Sequence, residues 1–212
     1  MADAKRIEIV GGNTRNETVQ LGNHEDTDTV YGGAFLVNCE VNFCGTNFEI
    51  VDANFLNCRI NAKVPIENVQ FLESVFERSA ISGRFVGCSF GFRRGVSKSP
   101  NAYYRNCDFS SAVLDHCLFF TGDTETVTWP GWPNITILNP RQNEREFASA
   151  VFPANLNSLH ETIDNALKVG TAGGVDELLA LTIDLGRDVE NLKPAEVSVV
   201  QNVFAQKSCI RF

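Results

Sequence analysis

The stretch "FLNCRI", Phe55 to Ile60, places a cysteine three residues after one bulky apolar residue and two before another. It recurs loosely as "FVGCSF" (Phe85 to Phe90), "YRNCDF" (Tyr104 to Phe109) and "LDHCLF" (Leu114 to Phe119). With the bulky residue taken as a centre, the clearest centres are Phe55, Ile60, Phe71, Phe76, Ile81, Phe85, Phe90, Tyr104, Phe109, Leu114 and Phe119, spaced by five within each group. Two residues before most centres sits a small residue: Ala53, Cys58, Ser74, Ser79, Cys88, Ala102, Cys107, Ala112 or Cys117. Val69 and Gly83 fill that place before Phe71 and Phe85, and Ala34–Leu36 and Cys39–Val41 fit the same frame upstream.

Residues two apart on an extended segment share a face. The small and bulky residues therefore point one way, and polar residues such as Asn54, Arg59, Glu77 and Asp108 point the other. A period of five matches neither a helix nor a flat strand. It matches short straight sides joined by corners, with the bulky residue on the axis and each coil stacked about 4.8 Å above the last.

Over residues 34–120 this pattern resembles the pentapeptide-repeat family. The resemblance implies a mainly β fold, a right-handed four-sided parallel β-helix. A wider three-sided parallel β-helix is the alternative. Between Phe43 and Ile50 two frames overlap. Two stretches, 61–68 and 91–101, break the repeat and carry prolines, so both are expected to bulge as loops.

Residues 1–33 are expected to form an irregular first coil or cap, and 121–154 a capping or linker segment in which Trp129 and Trp132 seal the last coil. An aromatic ligand platform is the other reading of these tryptophans. From 155 to 212 the period changes to that of a small α-helical region. Leu156, Leu159, Ile163 and Leu167 mark a first helix, with Ser158 and Glu161 as a capping box, ended by "GTAGG" (Gly170 to Gly174). Val175, Leu178, Leu179, Thr182, Leu185 and Val189 suggest a second helix. Pro194 opens a third, with Val197, Val200 and Phe204 on its apolar side.

Five of the seven cysteines (Cys39, Cys58, Cys88, Cys107, Cys117) occupy the small position that Ala and Ser share elsewhere, so the site selects volume rather than a thiolate. Cys44 and Cys209 lie outside the pattern. No close cysteine pair suits a metal, and the three histidines fall in no catalytic motif. No catalytic residue, cofactor or metal is expected; a carbohydrate-active β-helix enzyme is the least favoured reading.

The net charge of −8 belongs to the ends. Residues 1–33 carry six acids and three bases, 34–120 eight of each, and 121–212 twelve acids and seven bases. An acidic chain is not expected to bind nucleic acid directly. With no signal peptide and no run of roughly 20 apolar residues, a soluble cytoplasmic protein is expected. The favoured function is a non-enzymatic binding scaffold that engages a protein partner or a second copy. Its contacts are expected from Arg93, Arg94 and Lys98 in the basic loop and from Leu156, Leu159, Ile163 and Leu167 on the first helix. The alternative, implied by the resemblance alone, is a DNA-mimicking modulator of DNA gyrase.

Overall fold

In the computed structural model, short strands recur in the same order and stack in parallel register. The structure describes residues 8–9, 12–22, 28–30, 33–46, 48–50, 52–94, 96, 100–148, 152, 157–171 and 178–212. A first, five-stranded sheet contains Asn13–Arg15, Ala34–Val37, Ala53–Leu56, Val75–Glu77 and Tyr103–Arg105, each parallel to the next. A second, six-stranded sheet contains Thr18–Leu21, Glu40–Phe43, Arg59–Ala62, Ala80–Val86 and Asp108–Asp115, with Ile66–Glu67 beside Ala80–Val86. A third holds Glu8–Ile9, Asp28–Val30 and Phe48–Ile50. A fourth begins with Gln70–Phe71, Ser89–Phe90 and Cys117–Phe119. The fold is mainly β, with parallel sheets and a few helices.

The axial positions are buried as the spacing requires. Phe55, Phe76, Phe90, Tyr104, Phe109, Leu114 and Phe119 are almost wholly excluded from solvent, as are Ala53, Cys58, Ser79 and Cys107. Parallel in-register stacking sets equivalent side chains one strand spacing apart. Phe55 and Phe76 stack at 4.9 Å between centroids, Phe71 and Phe90 at 4.9 Å, and Phe90 and Phe119 at 4.8 Å. The ambiguous stretch after Phe43 resolves into Glu40–Phe43 and Phe48–Ile50, whose Phe43 and Phe48 rings stack at 4.6 Å.

Within stretch 61–68, residues 63–65 link two strands. Asn61 and Ala62 finish one strand, and Ile66 is fully buried opposite Phe85. Gly83, at the bend of Ala80–Val86, has φ +92, and a Cβ there would lie 2.3 Å from the Ala62 carbonyl oxygen. The described part of 91–101 carries no strand. The N-terminal strands Asn13–Arg15 and Thr18–Leu21 pair as regularly as later ones.

Beyond Phe120 a partial further layer forms through bridges from Tyr104 to Gly122 and Asp108 to Thr128. Trp129 lies over the end of the aromatic column, stacked on Phe109 and edge-on to Phe119. Trp132 instead packs with Phe204 and Phe212.

The fourth sheet then changes direction. Ala180–Asp184 pairs antiparallel with Cys117–Phe119, followed by Asn134–Leu138 and Ile210–Arg211, also antiparallel. Helix α1 is Glu144–Ala148, α2 Asn157–Thr171, α3 Gly186–Val189 and α4 Pro194–Ala205. The second helix expected from Val175 to Val189 is thus a strand followed by one short turn of helix. Leu179, Leu181, Ile183 and Leu185 alternate along one face of the run from Leu178 to Leu185, and Ala180 to Ile183 are buried on both faces, which suits a strand held between two layers. Leu181 and Ile183 meet Leu159 and Ile163, while Ala180 joins the main aromatic core. The first and third helices form as expected, and Pro194 opens α4. Val175, Leu156 and the Ser158 side chain lie outside the described residues.

Candidate interaction face

Each corner between the first and second sheets is turned by a residue in the left-handed region. Asn16, Asn38, Asn57, Arg78 and Asn106 have φ between 51 and 56°. Asn68 and His116 do the same at another corner, where Gly87 also has positive φ. Asparagine tolerates this conformation because its short amide bonds locally. Here the amides also form a ladder: Asn57 Nδ2 donates to Asn38 Oδ1 at 2.7 Å, and Asn38 Nδ2 to Asn16 Oδ1 at 3.2 Å. The dipeptides Asn38–Cys39, Asn57–Cys58 and Asn106–Cys107 carry this signal in the sequence, and the spacing of the apolar centres does not reveal it.

The cysteines that follow these corners make one repeated contact. Cys58 Sγ donates to Leu36 O at 3.2 Å, Cys107 Sγ to Phe76 O at 3.3 Å and Cys117 Sγ to Phe85 O at 3.4 Å. Ser79 Oγ donates to Phe55 O at 3.1 Å in the same way. Burial pushes the Cys58 thiol up to about 11 and raises Cys107 and Cys117 as well, so all three stay protonated. No group of His, Cys, Asp and Glu suited to a metal occurs among the described residues. Cys44 is half-buried, and Cys209 is buried beneath the C-terminal sheet.

The expected contact residues are not brought together as a surface. Leu159, Ile163 and Leu167 are buried against Ile135, Ile137, Leu181 and Ile183 of the chain's own sheet, so this stripe is not offered to a partner. Arg93 lies over the Phe120 ring at 5.4 Å, and Arg94 is exposed. Lys98 and Leu156 lie outside the described residues.

Two polar clusters stand out instead. One joins the stack to the C-terminal strands: Arg84 donates to Asp184 at 2.7 Å and to Asp115 at 3.4 Å, and His116 Nδ1 lies 2.8 Å from Asp115 Oδ1. The hydrogen bond to Asp115 raises the His116 pKa against burial, with Asp188 adding to the effect. Burial would raise Asp115, but its bonds with His116 and the Asp184 amide prevail and hold it low. The other cluster is on the outer face of the first sheet. Glu77 accepts from Arg105 at 2.9 Å, Tyr103 at 2.9 Å and Arg78 at 3.0 Å. The Arg105 bond, then that of Tyr103, holds this carboxyl below its usual range.

That face differs from its neighbour. Its outward positions, strand by strand, are Asn13 and Arg15, Phe35 and Val37, Asn54 and Leu56, Val75 and Glu77, Tyr103 and Arg105. Phe35 is 42% exposed, and Val37 and Leu56 are half-buried. On the second sheet the matching positions are Glu40, Asn42, Arg59, Asn61, Ala80 and Ser82, where amides bond rung to rung, as Asn61 does to Asn42 at 3.1 Å. A cleft of about 450 Å³ beside Trp129 borders Ile210–Arg211. That strand's outer edge is already occupied: Ile210 N donates to Lys207 O, and Arg211 donates to Ile210 O.

No helix among the described residues is long and apolar enough to cross a membrane. Comparison with known proteins finds no match to this chain among protein families, curated proteins or solved structures.

Proposed function

We propose that the chain is a non-enzymatic binding scaffold, built as a right-handed four-sided β-helix of the pentapeptide-repeat kind. Its own C-terminal strands and helices close one end, and the outer face of the first sheet meets a protein partner. The observation that carries this reading is the contrast between faces. Phe35, Val37 and Leu56 form an apolar stripe, whereas the second sheet is polar at all but one of the compared positions. Apolar side chains grouped on the solvent side of a rigid sheet, with Phe35 the most open, offer a contact for a partner. The stripe replaces the helix residues Leu159, Ile163 and Leu167 as the contact surface, because those are consumed by internal packing.

The gyrase alternative needs an acidic face along the rod. The second-sheet column runs Glu40, Arg59, Ala80, Asp108 and alternates in sign, so no observation favours it.

A photoreactive residue at Phe35 tests the scaffold reading, with one at Asn61 as the control face. Adducts with another protein or a second copy are expected from position 35 only. Adducts from neither position, or equally from both, would overturn it.

A further inference from the structure

The apolar stripe is bounded by Arg15 at one end and by Glu77, flanked by Arg78 and Arg105, at the other. Arg15 bonds through Nε to Asn13 Oδ1 at 3.0 Å and has no acidic partner among the described residues. At the other end Arg78 and Arg105 share the single carboxylate of Glu77. Two cations on this column, Arg15 and Arg105, and a third at the adjoining corner, Arg78, thus meet the one anion of the column, Glu77, in a chain of net charge −8. Asp52 lies at the other end of its strand from Leu56.

Arg15, Val37, Leu56, Glu77 and Arg105 sit on five successive strands. Four strand spacings amount to about 19 Å. A helix rising 1.5 Å per residue covers that distance in about 13 residues. The backbone of the inner strands is committed to the ladder, as in Asn38 N to Leu56 O and Asn57 N to Glu77 O. A partner lying on this face finds only side chains. An extended peptide would set its own amides against apolar surface without partners, whereas a helix brings them already paired.

Resting on the scaffold reading above, we propose that the partner presents an amphipathic helix along the first-sheet face, its apolar side on Phe35, Val37 and Leu56 and acidic residues at its two ends on Arg15 and on the Arg78–Arg105 pair. Each end contact is a carboxylate on a guanidinium, which sets orientation and makes association sensitive to salt.

The test uses three fluorescent helical peptides with one apolar face and with Glu, Gln or Lys at both ends, titrated against the full chain by anisotropy. The Glu peptide is expected to bind best, and to lose about tenfold in affinity in Arg15→Glu and again on raising salt. Arg15→Lys should retain most of the binding, and Phe35→Ser should remove it; circular dichroism confirms that each variant folds. Equal binding of the Lys and Glu peptides, or no effect of Arg15→Glu, overturns the acidic assignment. If all three peptides bind alike and Phe35→Ser abolishes each, the scaffold reading stands without it. If none binds while crosslinking from Phe35 persists, only the helix proposal falls.

Discussion

Leu118 pairs in parallel with Ser89 on one side and antiparallel with Leu181 on the other. The repeating stack therefore ends on a strand drawn from the C-terminal segment, and that segment is part of the fold. Asn134 Nδ2 donates to Leu114 O at 2.9 Å and Thr182 Oγ1 to Cys117 O at 3.5 Å, so polar groups of the closing strands satisfy the last layer. A parallel stack without this cover would present an open edge over an apolar core.

Removal of residues 155–212 is accordingly expected to give an aggregating or unfolded product. It takes away the Ala180–Asp184 strand and leaves Cys117–Phe119 and Ile135–Ile137 uncovered. Size-exclusion chromatography of the truncated chain checks this. A monomer with cooperative melting would show that the stack closes without the segment.

The cysteine column predicts tolerance to small residues. Cys107→Ala and Cys58→Ser should each cost about 1 kcal/mol or less, because Ser79 already makes the same carbonyl contact in that column. Cys107→Leu should cost about 1–3 kcal/mol or more through overpacking. Chemical denaturation of the three variants measures both.

Tyr104 carries a fully buried hydroxyl with no hydrogen-bond partner among the described residues. Its ring fits edge-on to Phe119, and desolvation raises its pKa. Tyr104→Phe should therefore be neutral or raise stability by about 1 kcal/mol. Phe109→Ala, which opens the stack under Trp129, should cost about 3–5 kcal/mol. A destabilised Tyr104→Phe would mean that the hydroxyl has a partner after all.

His116 supplies a pH signature. Its folded pKa is raised above 6.5, chiefly by the hydrogen bond to Asp115. The stability it contributes is full below that value and is lost as pH rises through the folded pKa. Asp115, held low, stays charged throughout this range. His116→Gln should thus be less stable than the parent at about pH 6 and nearly equal to it at about pH 9, read as melting temperature. A deficit that does not change with pH would remove the charge from the account.

The spacing of small and bulky residues determined most of the β stack. A cramped inner site and an axial site are local demands of volume, repeated at each rung, and they can be read one residue at a time. Phe55, Cys58, Tyr104 and Phe109 all lie where that spacing puts them. The asparagine corners carry a local signal of their own, because Asn57 and Asn38 tolerate left-handed backbone, but the spacing of apolar centres does not mark them, and Arg78 and His116 turn equivalent corners without it. The C-terminal strand was not legible. Leu178, Leu179, Thr182 and Leu185 also fit a helical spacing, so the local pattern admits both strand and helix, and the choice belongs to the unpaired edge of Cys117–Phe119 far away in the chain. The contact face depended on tertiary structure for the same reason. The Leu159, Ile163 and Leu167 stripe has the pattern of a docking helix, but whether it meets a partner or its own sheet is decided by Ile135 and Ile183. Phe35, Val37 and Leu56 become one surface only when successive rungs lie in register.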